Sequence, residues 1–596
     1  MSASSAASDA LPDAGPFRRR TAALIRGRLG WGPAFLPFTL LIGLVLIAPV
    51  VTFLRLAFAN GFADWRAFVD SPVQIHGVIR TLFIALETTA ICSVLGYAYA
   101  GALVHARRRS RALLMVVIVL PFLTSILVRS YGWIVLLGDQ GPINRVLRAT
   151  TGGSVALLYN RIGLMIGMVH IMLPFFVLPL FAVWSQVQPN LRRASRTLGA
   201  NRVESFLRVD LPLTLPGAAA GALLVFITSL GFFVTPALLG GDSDVMVSQL
   251  IDRALSNEVN LNEAAVLATV LLAVVLLVLL LFRLFYPIEL LFVQDAATLG
   301  SRQSRTRRRW RPRSGVVDRY RRTRLVATSR LSLLPWPALN GSLVALLVIF
   351  FLAPLVIVVP VAFSGDSYLT FPPHSLSLRW FESVISDGAW RQAALNSLVT
   401  GVIATLLSLC IGLPLAFGLV RSRLRARVKG AVMLVATVPV IIPVIVLALG
   451  VYAWYLDERL VGNRIALAAA QALLGVPFLT VIVVSALRDF DARLERAARS
   501  LGASATSTLR RITLPVIQRS IWAGLLFAFL QSFDELLIAR AVSNVDSQTL
   551  PVKMWAGANE QISPALATVS VVSLSVTIIV VLSLVGLRRA TARRHA

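Results

Sequence analysis

Two adjacent carboxylates, Asp534 and Glu535, interrupt the largely apolar stretch FAFLQSFDELLIARAV, near the middle of a predicted membrane span at 517–541. A charged group costs about 2.5–3.5 kcal/mol at the centre of a membrane helix, so such acids are candidates for function. A carboxylate that lines a path favours a cationic cargo. The alternative is structural, with the acids paired to Arg540 or Arg129. Because neighbouring helical residues point roughly 100° apart, we expect only one acid to face a path.

A second candidate is a polar segment that the chain carries twice, as LGANRVESFLRVDLP and LGASATSTLRRITLP, 303 residues apart. In each copy, apolar residues at helical spacing precede a glycine, Gly199 or Gly502, which suits the left-handed residue that ends a helix. Each copy is therefore predicted to be a helix–turn–helix, and the alternative is an amphipathic loop lying on lipid headgroups. The caps predicted for these helices, and the prolines expected at the start of the next span, are Asn190, Asn201, Pro212, Asp491, Ser504 and Pro515.

The duplication itself predicts a duplicated partner, since an amphipathic helix laid into a groove is a common docking mode. The chain has no phosphate-binding loop of its own. A Walker A loop needs Gly-Lys-[Ser/Thr], whereas Lys429 precedes glycine and Lys553 precedes methionine. This chain is therefore not expected to hydrolyse a nucleotide itself. No nucleophile–base pair and no metal-ligand spacing predicts catalysis or a metal site.

The composition indicates a membrane protein. Of the 596 residues 57% are hydrophobic and 14% charged, and the mean hydropathy is +0.78, whereas soluble proteins are about 25% charged. The net charge of +29 does not indicate a nucleic-acid partner, because the apolar runs are too long for a soluble basic protein. Positive charge is instead expected on cytoplasmic loops.

The apolar runs predict an all-α polytopic protein with twelve transmembrane helices in two parallel repeats of six. The echo of Tyr131-Gly132-Trp133 in Tyr452-Ala453-Trp454 supports the duplication. The predicted spans are 34–58, 79–104, 112–137, 162–186, 215–239 and 262–286, then 339–363, 393–420, 430–456, 464–487, 517–541 and 564–587.

The arginine-rich loops predict the orientation and the domain boundaries. HARRRSR, RSRLRARVKG and the linker RQSRTRRRWRPRSGVVDRYRRTR all fall on the cytoplasmic side if both termini are cytoplasmic. We expect a multi-pass protein of the bacterial cytoplasmic membrane, with the linker attracted to anionic lipid. The predicted domains are a disordered tail at 1–33, a first six-helix domain at 34–290, a linker at 291–338, a second six-helix domain at 339–590 and a basic tail at 591–596.

Other polar and aromatic residues in the spans have simpler interpretations. Arg129 is expected to snorkel outward, and His170 is expected to be a core residue. Tyr131 and Trp133 suit an interfacial aromatic belt, although with Thr235 they are also candidates for the translocation path. The two cysteines, Cys92 and Cys410, are expected to be small core hydrophobes.

The doubled segment resembles the EAA loop of ABC-importer permeases, through the pattern Gly-x9-[Ile/Val]-x-Leu-Pro that starts at Gly199 and Gly502. The family's glutamate, six residues before the glycine, is Arg193 in one copy and Arg496 in the other. The resemblance implies a type I importer fold and loops that dock two copies of an ATP-binding subunit, which would carry ATP and magnesium, with no cofactor in this chain. The loop residues that it implies are Arg193, Ala194, Leu198, Gly199, Ala200, Phe206, Leu211 and Pro212, and Arg496, Ala497, Ala498, Leu501, Gly502, Ala503, Leu509, Leu514 and Pro515.

Longer stretches sharpen the resemblance. LPFLTSILVRSYGWIVLLGDQGPINRVL and LGFFVTPALLGG resemble the first permease of spermidine/putrescine importers, and SFDELLIARAV with QTLPVKMW resembles the second. The implied cargo is a small cationic solute, delivered by a periplasmic or extracellular solute-binding protein. Permeases for ferric iron, thiamine or opine-like compounds share the layout. A proton-coupled transporter of the major facilitator type is the alternative from another class, although it does not explain the two Gly-x9-[Ile/Val]-x-Leu-Pro loops.

Overall fold

The computed structural model describes residues 43–256, 260–285, 336–560 and 563–593, together with Phe38. The predicted tail 1–33, the linker 291–338 except 336–338, and the last three residues of the predicted tail 591–596 lie outside the described residues. The helices of the first repeat are α1 (Ala48–Ala57), α2 (Ala63–Asp70), α3 (Pro72–His105), α4 (Arg108–Phe122), α5 (Ile126–Leu137), α6 (Pro142–Thr151), α7 (Arg161–Trp184), α8 (Pro189–Thr197), α9 (Arg202–Ser205), α10 (Leu211–Leu230), α11 (Val234–Leu239), α12 (Val247–Ser256) and α13 (Leu261–Phe285).

The second repeat follows nearly the same order. Its helices are α14 (Trp336–Ala362), α15 (Arg379–Ser386), α16 (Gly388–Arg421), α17 (Ala426–Ile441), α18 (Val444–Asp457), α19 (Arg464–Asp489), α20 (Ala492–Ser500), α21 (Ala505–Thr508), α22 (Leu514–Phe533), α23 (Leu537–Val542), α24 (Leu550–Glu560) and α25 (Pro564–Arg593). Within the described residues, eight helices are long and apolar enough to span a membrane, two bent pairs add two more, and two shorter apolar helices lie at the predicted first and last spans. The all-helical fold with two repeats is confirmed.

The third span of each repeat is broken, although the sequence predicted it as continuous. α4 and α5 meet at a bend of 98°, and α17 and α18 at a bend of 95°. Proline explains both breaks, because it lacks an N–H donor and disfavours helical geometry in the residue before it. Pro121 lies at the end of α4, while Pro439 and Pro443 flank the second break.

The fifth span of each repeat also ends earlier than predicted. α10 stops before Gly231 and α22 stops before Asp534, and a separate short helix follows each break. The expectation that Asp534 and Glu535 lie near the middle of a span is therefore wrong. Both acids lie at the break between α22 and α23, where helix ends leave backbone N–H groups that a carboxylate can satisfy.

The two repeats are interlocked through their first and third spans. α14 packs on α5, and α1 packs on α18, so the first span of each repeat crosses onto the broken helix of the other. Each crossing places a glycine against a backbone carbonyl. A Cβ built on Gly132 would lie 2.2 Å from the Pro354 oxygen, and one built on Gly450 would lie 2.7 Å from the Pro49 oxygen. Only glycine allows backbones to approach this closely.

This symmetry corrects one detail of the predicted duplication. Gly132 and Gly450 are each the seventh residue of their helix. Tyr131 therefore corresponds to Leu449, not to Tyr452, and the echo of the two Tyr-x-Trp sequences is out of register.

We expect Gly132→Ala and Gly450→Ala each to lower the melting temperature of the detergent-purified protein, because the added methyl group displaces a backbone carbonyl. Overpacking of this kind costs about 1–3 kcal/mol or more. Gly430→Ala is the matched control, since its Cβ would meet nothing within 4 Å in helix α17 and alanine favours helix. Equal melting temperatures for all three variants would contradict the close crossing.

Candidate functional site

The doubled loop forms two short helices that end in the same way. After α8 and after α20, Gly199 and Gly502 both have φ +86°, the left-handed conformation that the sequence predicts. The Ala200 N–H then donates to the Ser195 carbonyl at 3.0 Å, and the Ala503 N–H makes the equivalent bond to the Ala498 carbonyl, also at 3.0 Å. This is a Schellman motif in both copies. It fixes the turn into the next helix.

The helix starts agree with the predicted caps except at one position. Asp491 accepts from the Arg493 N–H, Asn201 accepts from the Glu204 N–H in a capping box, and Ser504 accepts from the Ser507 N–H. The prediction of Asn190 as a cap is wrong. Helix α8 starts at Pro189, so Asn190 is already its second residue, and Pro189 needs no cap for its missing N–H.

Most of the exposed face of α8 is repeated in α20, although the exposed residues Asn190 and Thr197 correspond to Arg493 and Ser500. The identical pairs on this face are Leu191 and Leu494, Arg193 and Arg496, Ala194 and Ala497, Arg196 and Arg499, and Leu198 and Leu501. Leu198 is 87% exposed and Leu501 is 89% exposed, which is costly for leucine in the absence of a partner. Of the remaining loop residues, Phe206, Leu211, Leu509 and Leu514 are half-buried and Pro212 and Pro515 are exposed, while Ala498 is buried.

The packed face of α8 makes contacts that sequence reasoning missed. The Arg192 Nε donates to the Asp210 carboxylate at 2.6 Å, and Trp184 Nε1 donates to the same oxygen at 3.2 Å. The Arg192 guanidinium also contacts the ring of His105, the last residue of α3. Helix α8 is thereby tied to the end of the second span and to the start of the fifth.

The packed face of α20 makes the same connections with different charges. Glu495 accepts from Thr513 Oγ1 at 2.8 Å and from Arg421 Nη2 at 3.0 Å. Arg421 is the last residue of α16, as His105 is of α3. The two triads, which we call the anchors, are His105–Arg192–Asp210 and Arg421–Glu495–Thr513. The signal that could have found them is a polar residue at three matching positions in both copies.

At the centre of the molecule, Asp534 links the two repeats. Its Oδ2 accepts from the backbone N–H of Ile126 at 3.2 Å, and Ile126 is the first residue of the broken helix α5. An acid at a helix N-terminus is stabilised by the unpaired N–H groups and the helix dipole. The matching position of the first repeat is Gly231, whose Cβ would lie 2.3 Å from Pro443, just before α18.

Glu535 points elsewhere, as expected for neighbouring residues. Its two oxygens accept from the N–H groups of Ile538 at 2.8 Å and Ala539 at 2.9 Å, and one also accepts from Gln471 Nε2 at 3.3 Å. It therefore caps its own short helix, α23. Arg540 pairs with neither acid, because its guanidinium makes two hydrogen bonds to Asp252 on α12 of the first repeat.

Asp534 lines a narrow pocket between the repeats. Three hydroxyl groups, from Ser125, Ser573 and Thr577, line it together with apolar side chains that include Phe533 and Met554. The free space is about 10 Å³, close to what one water molecule needs. One carboxylate, several hydroxyls and apolar walls suit an ammonium group on an aliphatic chain, once the pocket widens.

The side chains of α5 are buried, and this overturns two expectations. Arg129 is only 3% exposed and does not snorkel, while Tyr131 and Trp133 are 3% and 4% exposed and form no interfacial belt. Tyr131 donates to the Ser563 carbonyl of the second repeat at 2.9 Å. The reason is the break in the span, which turns α5 inward, where α14 covers it.

The remaining candidates lie in the core with one exception. His170 is fully buried, as predicted, with its Nε2 3.3 Å from the Phe351 carbonyl. Thr235 is fully buried and lies within hydrogen-bonding distance of Ser130. Cys92 is buried, but Cys410 is exposed, so the core assignment of Cys410 is wrong.

Comparison with known proteins gives relatives that match one repeat and relatives that match most of the chain. The spermidine/putrescine transport system permease protein PotB of Salmonella typhimurium is 32% identical over 220 residues, 36% of this chain and 76% of the relative. The protein named as a ferric transport system permease, FbpB 1, of Haemophilus influenzae is 24% identical over 526 residues, 86% of this chain and 78% of the relative. A protein named as an ABC transporter permease of Sinorhizobium fredii is 27% identical over 514 residues, 85% of each chain.

Among solved structures, the chain is similar to the bacterial alginate ABC transporter in complex with an alginate pentasaccharide-bound periplasmic protein. That match has 18% identity and a TM-score of 0.37, and it covers 45% of this chain and 92% of the other. The family described as "Binding-protein-dependent transport system inner membrane component" matches twice, at residues 93–288 and 408–594. With one match in each repeat and well over half of the residues covered, this multi-pass chain belongs to the family of inner-membrane permease components of binding-protein-dependent transport systems.

Proposed function

We propose that this chain forms both halves of the membrane channel of an ATP-driven importer, and that α8 and α20 dock two copies of a separate ATP-binding subunit. The observation that carries the proposal is the exposed face shared by the two helices. Two leucines, two arginines and one alanine of this face are identical in both copies, although Arg493 corresponds to Asn190, whereas residues of the packed face differ, as Arg192 and Glu495 do. Similar exposed faces suit two identical partners.

The positions of the arginine-rich loops support a cytoplasmic location for the docking helices. The sequence HARRRSR follows α3 directly, and the end of α3 contacts α8 through His105 and Arg192. Arg421 ends α16 in the same way, beside Glu495 of α20. Loops rich in arginine stay in the cytoplasm, which supports a cytoplasmic position for the proposed ATP-binding subunits and for both termini. The solute-binding protein then meets the opposite end of the bundle.

The cargo that this proposal favours is a small cation, with polyamines such as spermidine and putrescine first. The acid at the pocket between the repeats supports it, and so does the likeness to PotB, named for spermidine and putrescine. Ferric iron is the second candidate, since a relative named for ferric transport matches over 86% of this chain. Thiamine and opine-like compounds remain alternatives of the same family. Because the chain belongs to the permease family, the alternative of a major facilitator transporter no longer applies.

The proposed mechanism is alternating access. The ion pair of Asp252 and Arg540 joins the two repeats, and the exposed fractions of these side chains are 17% and 27%. The hydrogen bond from Tyr131 to the Ser563 carbonyl is a second contact between the repeats. ATP-driven closure of the two subunits would pull on α8 and α20, and the anchors would pass this movement to the second and fifth spans. The cross-repeat contacts would then part, and the pocket at Asp534 would open to receive cargo.

We expect Gly502→Pro to abolish docking at one site. Proline cannot adopt φ +86°, and it also removes the N–H that donates to Arg499, at a combined cost of about 3 kcal/mol or more. Co-purification of the ATP-binding subunit and labelled-solute uptake should both fall, uptake by more than about tenfold. Gly502→Ala keeps the hydrogen bond and pays only for the left-handed backbone, about 1–2 kcal/mol, so its effect should be smaller. Normal uptake by well-expressed Gly502→Pro would contradict the docking role.

We expect substitutions of Asp534 and Glu535 to have different effects, one on the KM for solute and the other on stability. Asp534→Asn should raise the KM for labelled spermidine at least about tenfold, about 1.4 kcal/mol, with little change in melting temperature. Glu535→Gln weakens a helix cap and should cost about 1 kcal/mol of stability with an unchanged KM. Ferric iron and thiamine serve as competitors. Spermidine uptake that is unaffected by Asp534→Asn would remove the acid from the path.

The role of the anchors in coupling can be tested by replacing the residues of the second anchor with those of the first. Glu495→Arg places a second cation beside Arg421, so α20 should loosen and more ATP should be hydrolysed per solute imported. The triple variant Arg421→His, Glu495→Arg and Thr513→Asp recreates the first anchor in the second repeat, and it should restore the ratio. If the triple variant is as uncoupled as Glu495→Arg alone, the anchors do not transmit the movement.

A further inference from the structure

Four arginines at matching positions of the docking helices carry charge that nothing in the described chain compensates, and Arg493 of α20, whose counterpart in α8 is Asn190, adds a fifth. Arg193, Arg196, Arg496 and Arg499 are exposed, and among the described residues no carboxylate lies within 4 Å of their guanidinium groups. The contrast with the packed faces is sharp. There Arg192 pairs with Asp210 at 2.6 Å, and Arg421 pairs with Glu495 at 3.0 Å. Asp210 and Glu495 are therefore paired on the packed faces of these loops, whereas the arginines of the exposed faces have no carboxylate partner.

These free charges sit among the exposed leucines. Leu191 and Leu494 are 45% and 47% exposed, and the leucine before each glycine is almost fully exposed. A partner that buries the leucines must also take the neighbouring guanidinium groups out of water. An unpaired charge at an interface is strongly unfavourable, whereas a paired one adds specificity and speeds encounter. The surface of the partner must therefore carry groups that pair with these guanidinium groups.

We infer that the groove receiving each docking helix is acidic, with a carboxylate of the partner opposite Arg193 in one site and opposite Arg496 in the other. This inference rests on the proposed docking of an ATP-binding subunit and adds the charge of its groove. Because the two arginines are 303 residues apart at matching points of similar faces, both grooves carry the acid at the same place. The Arg196 and Arg499 pair, one turn further along, extends the basic surface in both copies.

The same end of the molecule offers a matched control. Arg109 and Arg427 are also exposed and unpaired among the described residues, but they lie in the first turns of α4 and α17 rather than on the docking helices. Reversal of both charges changes the net charge by the same amount as reversal of Arg193 and Arg496. General attraction between the basic end of this chain and an acidic subunit would respond equally to the two changes.

The experiment is co-purification of the full chain with its ATP-binding subunit, followed by dissociation measurements across increasing sodium chloride. Arg193→Glu with Arg496→Glu should weaken binding at least about tenfold at low salt and flatten the salt dependence. Arg193→Lys with Arg496→Lys should retain most of the binding. Arg109→Glu with Arg427→Glu should stay close to the wild type. Melting temperatures of the variants check that the loops remain folded.

The outcomes separate the inference from the function on which it rests. If the wild type binds its ATP-binding subunit and the reversal of Arg193 and Arg496 changes neither affinity nor salt dependence, the acidic groove is wrong and the docking proposal stands. An equal loss in the Arg109 and Arg427 control would also overturn the groove, in favour of general attraction. If the wild type binds no ATP-binding subunit at any salt concentration, the proposed function itself fails.

Discussion

The contact on which the rest of the structure depends is the crossing of the first span of each repeat over the broken helix of the other. A glycine faces a backbone carbonyl at both crossings, Gly132 against Pro354 and Gly450 against Pro49. This contact holds α5 and α18 inside the bundle, where their N-termini meet the ends of the fifth spans. The central pocket exists because two broken spans from different repeats are pressed together there. Neither repeat could form it alone.

The two repeats agree in the residues that allow close backbone contacts and tight turns, and they differ in the charged residues at the centre and behind α8 and α20. The crossing glycines, the left-handed turns and the exposed faces of α8 and α20 match between repeats. At the centre, by contrast, Asp534 caps one broken helix while Gly231 packs against the proline before the other. The anchors likewise join the same elements with opposite arrangements of charge. The exposed faces of α8 and α20 are therefore similar in the two repeats, whereas the polar residues at the central pocket and behind these helices differ.

Local signals in the sequence were sufficient for the docking loops, because their glycines, caps and prolines act within a few residues of themselves. They were insufficient for the third spans. Pro121 and Pro439 lie in apolar runs long enough to span, and hydropathy alone does not show a bend. The burial of Arg129, Tyr131 and Trp133 follows from the second repeat lying over α5, which no local pattern reveals. The same holds for Asp534, whose hydrogen bond is made to Ile126 of the other repeat, whereas Glu535 is bonded within its own repeat.

The central claim is that one polypeptide presents the same docking surface twice to identical partners. Native mass spectrometry of the intact complex, purified with its ATP-binding subunit, tests this most directly. The account predicts one copy of this chain with two copies of a single kind of ATP-binding subunit. A complex with one such subunit, or with two different ones, would contradict it.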